Sequence, residues 1–397
     1  MASPADHLDR VLPVDAPDAT LVGRLFDPAL GGPCVVAVRG DTLVDLTGPA
    51  TATMADLLDR PDVVTIARTG GDGRSWPLRE VLTGTLAGER GRPHLLSPFD
   101  LQVLKAAGVT FARSMLERVI EEQSKGDPAR AEEIRGRLSD VIGGAIAQVR
   151  PGSEEAIRVK EVLVAEGLWS QYLEVGIGPD PEIFTKAPVL SSVGTGADVG
   201  VLARSVWNNP EPEVALAVTS AGRAVGATLG NDVNLRDFEG RSALLLAEAK
   251  DNNASCSLGP FIRLFDDGFT IDDVRAAELT MRVEGPEGYL LEAVSPVSEM
   301  SRGFEELITH AHGRHHQYPD GFVLFTGTMF APIDDRDAPG QGFTHKRGDV
   351  VSISADRLGC LVNTVVAAEE AAEWTFGIRG LMANLAERGL LVRGQRR

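Results

Sequence analysis

The chain has 397 residues, with 57 acidic against 39 basic side chains and a formal charge of −18 at pH 7. That length suits two or three domains with a real core, while no apolar run approaches the roughly 20 residues of a membrane span. So acidic a chain lacks the clustered Lys and Arg that nucleic acids require, and its three scattered cysteines, Cys34, Cys256 and Cys360, form neither a disulfide framework nor a zinc knuckle.

The start, MASPADHLDRVLPVDAPD, lacks the basic-then-apolar pattern of a secretory signal. A cytoplasmic protein acting on a small molecule is therefore expected, with no nucleic-acid or membrane partner. Residues 1–100 are rich in Asp, Pro, Gly, Val and Thr, and short apolar stretches such as CVVAV (34–38), cut by RGD and TGG turns, predict a small N-terminal β domain. HLLSPFD (94–100) reads as a linker, which leaves 101–397 as the second, catalytic domain. Phe111, Met115, Val119 and Ile120 fall near helical spacing, accompanied by Glu117, Glu121 and Glu122. Asp127 and Pro128 then predict the start of a second helix reaching about Val149. The two helices, an insertion over about 110–150, are expected as a charged hairpin on the surface. From about Trp169 the pattern turns β-like. A hairpin is predicted over 214–228, and further strands over 279–283, 289–293 and 348–353. Without regular alternation of strand and long helix, the expected class is α+β rather than a doubly wound sheet.

Glu211 and Glu213 stand two apart at the mouth of the first hairpin strand, so both side chains point to one face. Two carboxylates that close repel unless a cation or a shared proton relieves them. Asp232 lies just past the hairpin's return strand, whose end a hairpin brings back to the Glu pair. Three carboxylates with no neighbouring His or Cys make a hard-ligand set, suited to Mg²⁺, Mn²⁺ or Ca²⁺ rather than zinc.

In order along the chain come F-x-K-x-P (Phe184, Lys186, Pro188), E-x-E (Glu211, Glu213), N-D-V-N-L-R-D (231–237), Lys250 followed by L-G-P-F (258–261), T-G-T (326–328), and G-D-V-V…L-G…N from Gly348 to Asn363. Together, over roughly 105–367, they resemble the fumarylacetoacetate hydrolase superfamily. The resemblance implies a mixed β-roll catalytic domain with a helical lid, homodimeric or of higher order. It also implies one divalent metal on Glu211, Glu213 and Asp232, chelated in turn by a 2-oxo-carboxylate substrate. By the same resemblance Lys250 supplies charge or moves a proton, and Lys186, Arg236 and Thr328 fall at positions that contact substrate or brace the ligands.

Hydrolases of that superfamily carry a His–Glu dyad on the lid, which activates water. Here the His position is Ser114, grouped with the substrate-binding positions, while the Glu survives as Glu117. A serine hydroxyl is no general base at neutral pH without a partner. Keeping the metal and lysine without the dyad points to chemistry that starts at an enolate and needs no attacking water. Elimination fits, and GLWSQYLEVGIGPDPEIFTK, NNPEPE and KDNNASC resemble the superfamily's branch that dehydrates 2-keto-3-deoxy-pentonates to 2,5-dioxopentanoate. Glu117 and Lys250 are then the candidate proton carriers, and a C–C hydrolase of 2,4-diketo acids is the alternative. The histidines 310, 312, 315 and 316 read as a solvated loop, GTGADVG (194–200) as a poor phosphate loop, and Cys256 as a packing residue.

Overall fold

The computed structural model describes residues 2–71, 73–125, 127, 129–131, 133–134, 149–165, 167, 169–330, 335–337 and 342–391. Most of the helix expected between Asp127 and Val149 lies outside these residues. Strands β1 (Leu21–Asp27), β2 (Gly32–Arg39), β3 (Thr42–Asp45) and β4 (Ser75–Pro77) form an antiparallel meander. Gly40, at φ 53°, supplies the left-handed residue that turns β2 into β3. Three short helices, α1 (Met54–Leu58), α2 (Val63–Thr69) and α3 (Leu78–Leu86), pack against these strands.

The segment 94–100 is not a linker. His94 and Leu95 form β5, which pairs with β1, and Phe99 and Asp100 are buried. The Asp100 carboxylate accepts from the Met54 and Ala55 amides at 2.6 and 3.1 Å, and Arg24 donates to the Phe99 carbonyl at 2.5 Å. Charged side chains thus satisfy the polar groups of a segment that reads from sequence as exposed.

The chain continues through β6 (Val103–Gly108), helix α4 (Ala112–Ser124), helix α5 (Glu154–Ala165), helix α6 (Gln171–Ile177) and β7 (Glu182–Ala187). The predicted stripe Phe111, Met115, Val119 and Ile120 is buried, as expected. The acidic side of α4 was expected at the surface, and there the structure differs: Glu117 and Glu121 are buried, where Arg236 from further along the chain meets both and Arg118 of α4 itself meets Glu121. Next come β8 (Asp198–Val201), β9 (Asn208–Asn209), β10 (Pro212–Val218), β11 (Ala224–Asp232), β12 (Asn234–Leu235), helices α7 (Arg236–Glu239) and α8 (Leu246–Lys250), and β13 (Cys256–Leu264). After them lie β14 (Glu278–Glu284), β15 (Leu290–Pro296), β16 (Phe322–Phe325), β17 (Val350–Ala355) and β18 (Gly359–Ala367).

Two main sheets result. The larger runs β4-β3-β2-β1-β13-β11-β10-β16-β6-β7 with β5 on β1, and the smaller β15-β14-β17-β18-β8. Pairing is antiparallel except β16–β6 and β18–β8. Residues 1–100 carry no sheet of their own, because β1 pairs with β13 through Leu21↔Arg263 and Val22↔Ile262. The central hairpin β10–β11 is buried on both faces: Val214, Leu216 and Val218 join the core toward the second sheet, while Ala215 and Ala217 join another on the opposite face. Each larger side chain so buried contributes about 1.5–3 kcal/mol. Among the described residues no helix is long and apolar enough to cross a membrane.

Candidate functional site

The site begins where the hairpin stops being apolar. Along β10, Ala217, Ala215 and Glu213 share one face by alternation, and Glu211 continues the row. Across the ladder Glu213 stands opposite Gly230, and the Asp232 amide donates to the Glu211 carbonyl at 3.0 Å. The predicted convergence is therefore present. Glu211, Glu213 and Asp232 each offer a carboxylate oxygen, all within 4.8 Å of one another, and all three are buried. Gly230 has no room for a side chain, because a Cβ there would collide with the Phe325 ring.

Cations converge on the triad from other elements. Lys250, at the end of α8, bonds Glu211 and lies 3.1 Å from Asp232. Lys186 of β7 reaches the other Asp232 oxygen at 2.9 Å and donates to the Val233 carbonyl at 3.0 Å. Arg118 of α4 bonds Glu211 and also lies 2.7 Å from Glu121 and 2.9 Å from Glu239. The Asp237 carboxylate accepts from Ser205 and the Val206 amide, and Arg236 turns to the acids of α4. Its guanidinium lies 2.7 Å from Glu121 and 3.6 Å from Glu117, and stacks 4.1 Å over Trp207.

Of the remaining expected site residues, Thr328 adjoins the triad, while Ser114 and Glu117 lie on α4. Thr328 follows Gly327, whose amide donates to Glu213 at 2.6 Å, and its hydroxyl accepts from the Phe330 amide at 3.1 Å. Ser114 is buried in the first turn of α4 and donates to the Phe111 carbonyl at 3.1 Å. Glu117, one turn later, is buried on the side facing Arg236.

Sequence reasoning missed Arg118, Glu121, Glu239 and Glu182. Glu182 is the most telling: burial and the charges of Glu239 and Glu211, against Arg118 and Lys250, push its carboxyl up to about 7. It stands on the same strand face as Phe184 and Lys186, four residues before a lysine already singled out, so β alternation alone carried the signal.

Among the described residues the cluster is short of positive charge: seven acids (Glu117, Glu121, Glu182, Glu211, Glu213, Asp232 and Glu239) face four cations (Lys186, Lys250, Arg118 and Arg236). Burial, then the Asp232 and Glu211 charges, raise the Glu213 carboxyl far above the ordinary range. Asp232, in contrast, is lowered despite its burial, chiefly by Lys186 and Lys250. The Lys250 ammonium is held charged against its own desolvation by Asp232 and Glu211. The donors fit a divalent hard cation: all are carboxylate oxygens, their spread matches two metal–oxygen bonds of about 2.0–2.6 Å, and the repulsion stored at Glu213 is what such an ion relieves.

The other motifs carry no comparable site. The triad is the only group of metal-ligating type found among the described residues, so the histidines 310–316 form none. The GTGADVG backbone is taken up by Val362 and by Asn363, whose amide donates to Gly194 and Ala197 at 2.9 Å each. Cys256 is buried in β13, its thiol pushed up to about 12 by burial.

The scaffold and the carboxylate triad thus define an α+β protein with a hard-cation centre at the polar end of a central hairpin. The chain belongs to the fumarylacetoacetate hydrolase family: residues 177–366 match the model of the fumarylacetoacetate (FAA) hydrolase C-terminal domain. A probable 2-keto-3-deoxyxylonate dehydratase of Haloferax volcanii is 30% identical over 334 residues, 83% of this chain and 94% of that protein. A 2-dehydro-3-deoxy-D-arabinonate dehydratase of Saccharolobus solfataricus is 32% identical over 185 residues, 47% of this chain and 58% of that protein. Among solved structures, 2-keto-3-deoxy-D-arabinonate dehydratase complexed with magnesium and 2,5-dioxopentanoate shares the fold, with a TM-score of 0.61 at 21% identity over 88% of this chain and 99% of that one.

Proposed function

We propose that the protein is a metal-dependent dehydratase that converts a 2-keto-3-deoxy sugar acid, a pentonate, to a dioxo acid such as 2,5-dioxopentanoate. The observation that carries this reading is the buried row Glu211, Glu213 and Asp232 with Lys250 laid across it. Family membership and two relatives named as dehydratases of such acids support it. Mg²⁺ is the proposed ion, with Mn²⁺ or Ca²⁺ as substitutes.

A cation on the triad would supply a Lewis acid for the enolate formed when the C3 proton leaves. The chain's own groups do the rest. Lys250, kept as an ammonium, protonates the departing C4 hydroxyl. Glu117 takes the C3 proton, with Glu182 as a second, half-buried carboxyl whose proton is exchangeable near neutral pH. Lys186 fixes Asp232, and Ser114, Arg236 and Thr328 contact the substrate. α4 forms the lid and carries Arg118 onto the triad at Glu211. Residues 1–100 are an appended unit on the catalytic sheet, the assembly is a homodimer or higher homo-oligomer, and three buried free thiols suit the cytoplasm.

Incubating the protein and Mg²⁺ with a panel of 2-keto-3-deoxy-pentonates and -hexonates tests this, with products read by mass. Loss of 18 Da, one water, is expected. Gain of water with fragmentation would replace the reading with C–C hydrolysis.

A further inference from the structure

The row that carries the carboxylates does not stop at Glu211. Two residues earlier on β9 stands Asn209, and two residues after Asp232 on β12 stands Asn234; the two are direct partners in the β9–β12 ladder. Val233 and Leu235 belong to the core on the opposite face, so alternation puts Asp232 and Asn234 together on the other side. Three rungs therefore share one face in order: Glu213 with Gly230, Glu211 with Asp232, and Asn209 with Asn234. Paired residues on an antiparallel ladder are neighbours on their face.

The third rung is polar, buried and unsatisfied. Asn209 and Asn234 are no more than 1% exposed. Asn209 spends its amide nitrogen on the Pro210 carbonyl at 2.8 Å, which leaves its Oδ1 without a partner. Both Oδ1 and Nδ2 of Asn234 lack a partner, so exchanging the two atoms changes nothing. Three idle amide atoms in so small a space are costly, and call for a donor-and-acceptor group to face them.

We propose that Asn209 and Asn234 are the specificity pair for the hydroxylated end of the substrate, reading a C4 or C5 hydroxyl of a sugar acid whose 2-oxo-carboxylate end lies on the carboxylate rungs. The inference rests on the dehydratase reading and adds to it which residues tell a polyhydroxy acid from a plain 2-oxo acid. The geometry agrees, since one rung step along the row is about 6.6 Å and the distal hydroxyls are two and three carbons beyond the chelating carbonyl. A hydroxyl both donates and accepts, which a carboxamide pair can match from two sides.

The experiment compares the wild type with Asn234→Leu and Asn209→Ala in saturating Mg²⁺, using two probes: a 2-keto-3-deoxy-pentonate as substrate and 2-oxobutyrate, which keeps the chelating head but has no hydroxyl, as competitive inhibitor. Each variant is expected to lose 10- to 100-fold in kcat/KM, mainly through KM, while the 2-oxobutyrate inhibition constant stays within twofold. Asn234→Ser, which keeps a group that both donates and accepts, is expected to recover part of the loss and guards against a folding defect in the leucine variant. Equal weakening toward both probes overturns the proposal, because the pair would then only shape the metal rungs. Unchanged constants for both also overturn it and assign the idle atoms to a buried water. Failure of the dehydratase reading shows separately, as a wild type that removes water from no 2-keto-3-deoxy acid and binds no 2-oxobutyrate, and that result overturns both.

Discussion

Two buried charge clusters in this protein are balanced in opposite ways. Around Asp349 every charge has a partner: Arg336 donates twice at 2.7 Å, the His345 ring lies at 3.0 Å and the Lys346 amide at 2.9 Å. These partners overcome burial and hold the Asp349 carboxyl down at about 2. At the triad the Glu213 carboxylate receives the Gly327 amide and faces two further acids, and its carboxyl is pushed strongly the other way. Equal depth of burial thus yields a satisfied anion in one place and a repelling set in the other. The first is a staple within the fold; the second is incomplete until something positive arrives.

That contrast can be broken at either end. The largest effect is expected from Glu213→Gln. Steady-state assays should show activity down on the order of 10³-fold, about 4 kcal/mol. The metal-free variant should nonetheless unfold about 1–3 kcal/mol later than wild type in denaturant melts, because a repelled buried charge is gone. A stabilisation of about 2.7 kcal/mol by metal at 100 times its Kd should appear in wild type and vanish in this variant. A variant that is both less stable and still responsive to Mg²⁺ would contradict the contrast.

Asp349→Asn should do the reverse. Stranding Arg336 and His345 should cost ~3–5 kcal/mol of stability, with the metal-induced rise retained.

A third effect is a pH dependence assigned to Glu182. The unfolded carboxyl ionises near 4.5 while the folded one keeps its proton to about 7. Within that window the folded state binds more protons, so its stability falls as pH rises, by about 3 kcal/mol in total. Melts of metal-free wild type and Glu182→Gln across pH 4.5–7.5 should therefore converge at the acid end and separate toward neutral pH, with the variant the more stable. Parallel curves would remove Glu182 from the cluster's balance. The smallest effect is expected at Ser114: Ser114→Ala should raise KM two- to fivefold with kcat unchanged, about 0.5–1 kcal/mol for one hydroxyl contact.

Local rules explain what could be read from sequence. The triad was legible because E-x-E obeys strand alternation and a hairpin returns Asp232 to it, both short-range constraints. The buried stripe of α4 was legible for the same reason, as period 3.6 marks it. Arg118 was not, because it bonds Glu211, 93 residues away, and no local pattern separates an arginine on a buried charged face from one in water. The same ambiguity put Glu117 and Glu121 at the surface in the sequence reading, where Arg236, 115 residues beyond Glu121, joins Arg118 in holding them inside. HLLSPFD misled through its Ser-Pro pair and closing Asp, which mark irregular backbone but not exposure. The helices α5 and α6 were not anticipated, and Glu182 was passed over because its stretch was read only as F-x-K-x-P, from Phe184 onward.

The pairing of β1 with β13 has a kinetic consequence. Leu21 meets Arg263, and Arg263 in turn holds Asp15 with two bonds of 2.5 and 2.8 Å. During synthesis at about 5–20 residues per second, the opening meander waits roughly 9 seconds or longer with an open strand edge before its neighbour exists. Such an edge invites pairing with the wrong chain, so expression yield should depend on how quickly ribosomes travel from the first strand to the thirteenth.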